Sequence, residues 1–317
     1  MSGEGELDIT VVSTRADALK DAFRGELAAR VPDDVSLRFY SDPKILDVRA
    51  LAAEVALGAP DVLAPLLASM PKLRWVQSTW AGVTPFFDVP RRDYLLTGVK
   101  DVFGSSMSEY ALGWVLAIER SVLIHANAKH WKFRIDRGLS EFRVGVAGVG
   151  SIGSAVAQSF GGFVKEVRGL NSDGRMAEGC GSCFATSDRL RFAEHLDVLI
   201  MILPDTPATD DLVDAELLAK LAPGAIVINA GRANALDLSA ALSARASGQI
   251  RALVLDVLKK EPLIDDDPLW STEGVYITSH TAAPTRMASI AGVFLDNLQR
   301  YRTGVPLDGV IDFERGY

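Results

Sequence analysis

The stretch Arg143-Val-Gly-Val-Ala147, followed at once by Gly148-Val149-Gly150-Ser151-Ile152-Gly153, constrains the fold more than any other part of the chain. A short apolar run gives way to a G-x-G-x-x-G turn, and apolar residues then recur with helical spacing from Ile152 to Phe160. The glycines permit a tight turn, let backbone come close to an anion and allow the helix to pack on the strand. The helix N-terminus adds unpaired N–H groups and a partial positive charge. A G-x-G-x-x-G string alone is a weak signal, but a strand before it and a helix after it are the context that phosphate binding requires.

The rest of the chain keeps the same rhythm. Ile9–Val12, Leu73–Gln77, Val164–Leu170, Leu196–Leu203, Ala225–Asn229, Ala252–Val257 and Val275–Thr278 read as short buried strands, with a helix from Ala16 to Arg30. Ser105 to about Lys132 reads as one long helix joining two domains, and Arg286–Arg302 as a last helix beyond the sheet. Alternation of this kind is the mark of doubly wound parallel α/β sheets. The 317 residues suit two domains. Because the glycine loop falls mid-chain, the expected division is discontinuous: residues 1–98 with 286–317 form a flavodoxin-like substrate domain, and residues 99–285 a Rossmann cofactor domain, with the active site in the cleft between them.

Composition narrows the partners. Hydrophobic residues at 48% and charged residues at 23% are those of an ordinary soluble protein. With 33 Lys+Arg against 41 Asp+Glu the net charge is -8, with no basic tail, so nucleic acid and anionic membrane are not expected partners. An anionic substrate must then be held by local cations and backbone donors. The longest apolar run, Val198 to Leu203, is too short to span a bilayer, and the polar, acidic N-terminus is unlike a signal peptide, so a cytoplasmic location is expected. Cys180 and Cys183 read as two loop thiols, since neither a second pair nor a ligand His follows, and no metal is expected.

The residue that meets an adenosine ribose stands at the end of the strand after the glycine loop, where an acid favours NAD by accepting from the 2'-hydroxyl. Here it is Asn171, which carries no charge to repel a 2'-phosphate, and Ser172 and Arg175 can contact one. The expected cofactor is NADP, with NAD the alternative, and Asp173 weighs toward the latter.

Seven strings then occur in a fixed order: W-A-G-V (80–83), S-E-Y-A-L (108–112), G-V-G-S-I-G (148–153), L-P-D-T-P-A-T (203–209), I-N-A-G-R (228–232), D-V-L-K-K-E-P-L (256–263) and S-H-T-A (279–282). Together they resemble the D-isomer-specific 2-hydroxyacid dehydrogenase family over essentially the whole chain, most of all its glyoxylate/hydroxypyruvate reductase branch. The resemblance implies two similar α/β domains and a homodimer. It implies cofactor contacts at Pro204, Thr206, Asn229, Ala230, Gly231 and Asp256, the last toward the nicotinamide carboxamide. It also implies that the amides of Trp80, Ala81, Gly82 and Val83 hold a substrate carboxylate. Trp80 either walls the pocket or packs in the core.

Reducing a 2-oxo acid needs a cation beside the carboxylate and carbonyl, and a proton donor for the oxygen that becomes a hydroxyl. Arg232, at the end of a strand, can pair with a carboxylate bidentately, although Ala233 stands where the family often has Gly. His280 is the one histidine of the four that follows the last strand, at a carboxyl end where open sheets bind ligands; His125 and His130 lie on the joining helix, and His195 precedes a strand. Glu261, as a carboxylate beside the imidazole, favours imidazolium and keeps a proton available. The expected function is hydride transfer from NAD(P)H to a small 2-oxo acid such as glyoxylate or hydroxypyruvate. Alternatives are a dehydrogenase for a bulkier D-2-hydroxyacid and a nucleotide-sensing module of the same fold.

Overall fold

The structure is a computed structural model and describes residues 6–131, 133 and 137–314. Packing divides the chain into two units. One holds the residues up to Val102 together with those from Thr285 onward, and the other is Phe103–Pro284. The sequence reading set these crossings at 98/99 and 285/286.

The first unit is built on five parallel strands: Leu7–Val12 (β1), Val35–Tyr40 (β2), Val55–Gly58 (β3), Trp75–Ser78 (β4) and Leu95–Thr97 (β5). Their order is β2-β1-β3-β4-β5, the flavodoxin-like winding. A helix at Met287–Thr303, far along the chain, completes its core. Phe294 of that helix stacks on Trp75 at 5.2 Å and meets Phe23 edge-on at 5.9 Å, and the Asn297 amide bonds Gln77 of β4 and the Asp308 carbonyl.

The second unit carries seven parallel strands: Arg143–Ala147 (β6), Glu166–Asn171 (β7), Ser182–Ala185 (β8), Val198–Met201 (β9), Ala225–Asn229 (β10), Ile250–Leu255 (β11) and Val275–Ile277 (β12). Their order is β12-β11-β10-β9-β6-β7-β8. Successive residues feed opposite cores: Leu199, Met201 and Val227 face one, while Val198, Ile200, Ile226 and Ile228 face the other. A sheet apolar on both faces must be covered by helices on both, which is why these strands read as unbroken apolar runs. The winding reverses between β6 and β9, so the carboxyl ends on either side of that point form a natural ligand crevice.

Three expectations need correction. The helix expected from Ala16 to Arg30 ends at Arg24, and Ala28–Arg30 is a separate short turn. The long helix does not reach Lys132: it spans Gly104–Glu119, breaks where Ser121 enters the left-handed region at φ 51°, and resumes only as Val122–Ala126. His130 therefore lies outside any helix, and Lys132 lies outside the described residues. Cys183 belongs to β8 and not to a loop. The strands β2, β3, β5 and β8 were not anticipated. Among the described residues no helix is long and apolar enough to cross a membrane.

Candidate active site

The glycine loop takes the form its spacing demands. Gly148 has φ +94°, and a Cβ there would stand 2.5 Å from the Ile202 carbonyl oxygen. A Cβ on Gly153 would lie 2.0 Å from the Gly148 oxygen, so this glycine lets the helix Ser151–Phe160 start against its own loop. Gly150 differs, because a Cβ there meets nothing within 4 Å. Two glycines thus serve the turn and the packing, and the third borders open space at a ten-residue helix's N-terminus. These residues fit a pyrophosphate.

At the end of β7 the Asn171 amide is held by its own turn. Asn171 Oδ1 accepts from the Gly174 amide at 2.6 Å and its Nδ2 donates to the Arg175 carbonyl at 2.8 Å, with Gly174 at φ +74°. The side chain expected to face a ribose also closes its own turn, as asparagine readily does. Ser172 and Arg175, the other residues expected beside a phosphate, follow in the same turn, and Asp173 lies 3.8 Å from the exposed Arg175 guanidinium. Beyond β9, the Thr209 hydroxyl donates to the carbonyls of Pro204 and Thr206, making a compact turn. Beyond β10, Asn229 Oδ1 accepts from the Gly231 amide and Nδ2 donates to the Arg232 carbonyl. A Cβ on Gly231 would sit 2.5 Å from the Leu203 nitrogen, so glycine lets these two loops touch. Ala230 is buried beside it.

Arg232 opens the turn Ala233–Ala235, where neither Ala233 nor its neighbours need a positive φ and alanine suffices. Its side chain is half-buried and donates to the Gly231 carbonyl at 2.9 Å. Among the described residues no carboxylate pairs with it. Retaining a partly buried cation without an acid is costly unless an anion arrives.

His280 follows β12. Its Nδ1 lies 2.9 Å from Glu261 Oε2, and Glu261 Oε1 accepts from the Leu258 amide at 2.8 Å. An ionised carboxylate can only accept, so Nδ1 carries a proton and Nε2 is the nitrogen free to exchange one with a ligand. With side chains 54% and 38% exposed, this pair contributes little to stability, and its effect is on ring orientation.

Ser279 and His280 both lie in the left-handed region, at φ 54° and 59°. Non-glycine residues there cost of order 1–3 kcal/mol each and persist where their surroundings over-determine them. Asp256, 3% exposed, does so. Its main-chain oxygen accepts from the His280 amide at 2.7 Å, Oδ1 accepts from Thr278 Oγ1 at 2.5 Å and the Thr281 amide at 2.8 Å, and Oδ2 accepts from the Ala282 amide at 3.1 Å. The sequence reading aims Asp256 at a carboxamide, whereas the structure spends most of its acceptor capacity on this turn. Thr278 was missed altogether, since nothing in T-S-H announces a hydroxyl aimed at a buried acid.

In the first unit, the Ser78 hydroxyl accepts from the Trp80 amide and donates to its carbonyl, fixing the start of the Trp80–Val83 loop. Val83 is buried in the core and Ala81 is exposed. Trp80 is 42% exposed, so it does not pack in the core.

Residues 115–282 match the model of the D-isomer specific 2-hydroxyacid dehydrogenase NAD-binding domain. The chain belongs to the D-isomer specific 2-hydroxyacid dehydrogenase family. Solved structures of the same kind extend the likeness beyond that domain. A family protein from Aeromonas salmonicida is 31% identical with a TM-score of 0.87, covering 98% of this chain and 100% of its own. A D-isomer specific 2-hydroxyacid dehydrogenase from Xanthobacter autotrophicus, in complex with NADPH and MES, is 29% identical with a TM-score of 0.84, covering 99% and 100%. An NADPH-dependent glyoxylate/hydroxypyruvate reductase from Sinorhizobium meliloti, in complex with NADP and sulfate, is 26% identical with a TM-score of 0.84, covering 98% and 99%. The dehydrogenase is thus an NAD(P)-dependent oxidoreductase with two parallel-sheet α/β units.

Proposed function

We propose that this dehydrogenase runs as an NADPH-dependent reductase of a small 2-oxo acid of the glyoxylate or hydroxypyruvate type, giving the D-2-hydroxyacid. The observation that carries the chemistry is the His280–Glu261 pair and the acid-free Arg232 at the carboxyl ends of three neighbouring strands, β10, β11 and β12. The second unit takes the cofactor, and the Trp80–Val83 loop of the first takes the substrate carboxylate.

Gly148, Gly150, Ser151, Ile152 and Gly153 hold the pyrophosphate, and Ser172 and Arg175 meet the 2'-phosphate. Pro204, Thr206, Asn229, Ala230, Gly231 and the free capacity of Asp256 Oδ2 border the nicotinamide side. When bound, the reduced nicotinamide supplies a hydride to C2 of the 2-oxo acid. Arg232 pairs with the substrate carboxylate and polarises the carbonyl. His280 gives its Nε2 proton to the oxygen that becomes the hydroxyl, while Glu261 accepts from Nδ1 and holds the ring in place for that transfer. Hydride and proton together complete the alcohol. NADPH is supported by the uncharged Asn171 and by the NADPH and NADP held in two similar structures. The substrate class is supported by the likeness to the Sinorhizobium meliloti reductase. We also propose a homodimer.

The test is steady-state loss of reduced-nicotinamide absorbance with glyoxylate, hydroxypyruvate and a branched 2-oxo acid, each with NADPH and NADH. Faster oxidation of NADPH by the two small acids is expected. A preference for NADH overturns the cofactor assignment alone, and turnover of only the branched acid overturns the substrate class.

A further inference from the structure

The hydrogen bonds that hold the His280 turn continue, beyond Asp256, into a helix on another part of the unit. Thr278 Oγ1, which donates its only proton to Asp256, lies 2.7 Å from the phenol oxygen of Tyr110. A hydroxyl with its proton spent can only accept, so Tyr110 donates. Burial pushes the Tyr110 phenol far above its ordinary pKa, which keeps that proton in place. The direction of the chain is therefore fixed: Tyr110 to Thr278, and Thr278 to Asp256. Each donor polarises the next, tightening the last bond in the series.

Tyr110 is itself held firmly. It lies one turn from Trp114 on the helix Gly104–Glu119, with ring centroids 6.5 Å apart, and Trp114 packs on Tyr276 of β12 at 5.1 Å. At the helix's last turn the buried Glu119 pairs with Arg251 of β11. Near its start, Gly104 approaches Ala155 so closely that a Cβ would stand 2.8 Å from that side chain. Both ends of the helix are thus fixed against the sheet or its covering helix.

We propose that Tyr110 is a positioning residue for the proton donor: through Thr278 Oγ1 it orients the Asp256 carboxylate, and so the left-handed turn on which His280 meets Glu261. The proposal rests on the reading of His280 as proton donor. Tyr110 has no part in binding cofactor or substrate. It acts only through the turn: without it the Thr278 hydroxyl can rotate and its bond to Asp256 Oδ1 loosens, while the Thr281 and Ala282 amides still hold the carboxylate on the cofactor side.

The test uses the full chain with Tyr110→Phe, which keeps the ring against Trp114, and the pair Thr278→Val and Thr278→Ser. With glyoxylate and NADPH, Tyr110→Phe is expected to lower kcat on the order of tenfold, the scale of sub-ångström misplacement of a reacting group. The KM for NADPH should stay within about twofold and the solvent deuterium isotope effect on kcat should rise, because transfer from a misplaced imidazole becomes limiting. Thr278→Val should do the same or more, and Thr278→Ser, which keeps the hydroxyl, should restore turnover. In the substrate-free protein the His280 ring-nitrogen NMR signals, assigned by their loss in His280→Ala, should move in Tyr110→Phe and Thr278→Val and not in Thr278→Ser. Unmoved signals with unchanged kcat overturn the positioning role, as does a fall in thermal midpoint that Thr278→Ser shares equally with Thr278→Val. If His280→Ala itself retains turnover, the proton-donor reading fails, and the NMR shifts still decide whether Tyr110 sets the turn.

Discussion

Gly150 and Gly153 stand three residues apart and answer to different demands. The Cβ that alanine would add at 153 lies 2.0 Å from a backbone oxygen, which forces the loop or the helix to move, and forced fits of this kind cost about 1–3 kcal/mol. At 150 the same methyl meets nothing, and φ there is -78°, open to any residue. Gly153→Ala is expected to lower the thermal midpoint and weaken NADPH binding together. Gly150→Ala should leave the midpoint in place and still weaken binding about tenfold or more, because its methyl occupies the space where backbone must approach the pyrophosphate. Fluorescence titration with NADPH beside a thermal melt checks both, and a Gly150→Ala protein that binds normally removes the phosphate from this loop. The turn at Gly148 and the packing at Gly153 were legible in the sequence because a G-x-G-x-x-G spacing encodes contacts within one turn. Less legible was the turn at Asn171, whose amide bonds the Gly174 amide and the Arg175 carbonyl, a local pairing that the residue's place after β7 does not announce. Tyr110 could not have been read at all, since its partner lies 168 positions away.

Among elements, the helix Met287–Thr303 shows how far apart sequence order and packing order stand. It comes after all of the second unit, yet its Phe294 fills the space between Trp75 and Phe23 in the first, fully buried. Phe294→Ala is expected to cost about 3–5 kcal/mol, the range for removing a buried aromatic. Native-state hydrogen exchange should show the amides of β3 and β4 losing protection, with those of β9 and β10 little changed; equal loss in both would mean that the helix is not specific to the first core. Its periodicity gave its place to within a residue at each end. Periodicity failed for the stretch after Glu119, where Val122, Leu123 and Ile124 continue an apolar pattern through a backbone break at Ser121. An apolar repeat reports spacing alone, and a single left-handed residue ends a helix without altering it.

At the scale of the whole molecule, that same stretch bears on assembly. Val122, Leu123 and Ile124 are 50%, 40% and 54% exposed, and Trp131 and Phe133 are 100% and 80% exposed. Apolar side chains concentrated in one short segment are the kind of surface that a second molecule covers. In a twofold assembly each copy offers the same segment to the other, so one patch is buried twice. The net charge of -8 opposes this contact, because identical acidic chains repel. Association must then draw on apolar area, and it should tighten as salt screens the repulsion over about 10 Å at 0.1 M. Sedimentation velocity is expected to give twice the 34.1 kDa chain mass, with dissociation shifted to lower concentration as salt is raised. The double substitution Trp131→Asp and Phe133→Asp should yield a monomer, since it places charges where apolar area is needed. A wild-type chain that sediments as a monomer at micromolar concentration would overturn the dimer. A dimer that survives the double substitution would move the interface elsewhere on the surface, and one that weakens with salt would make the contact electrostatic instead of apolar.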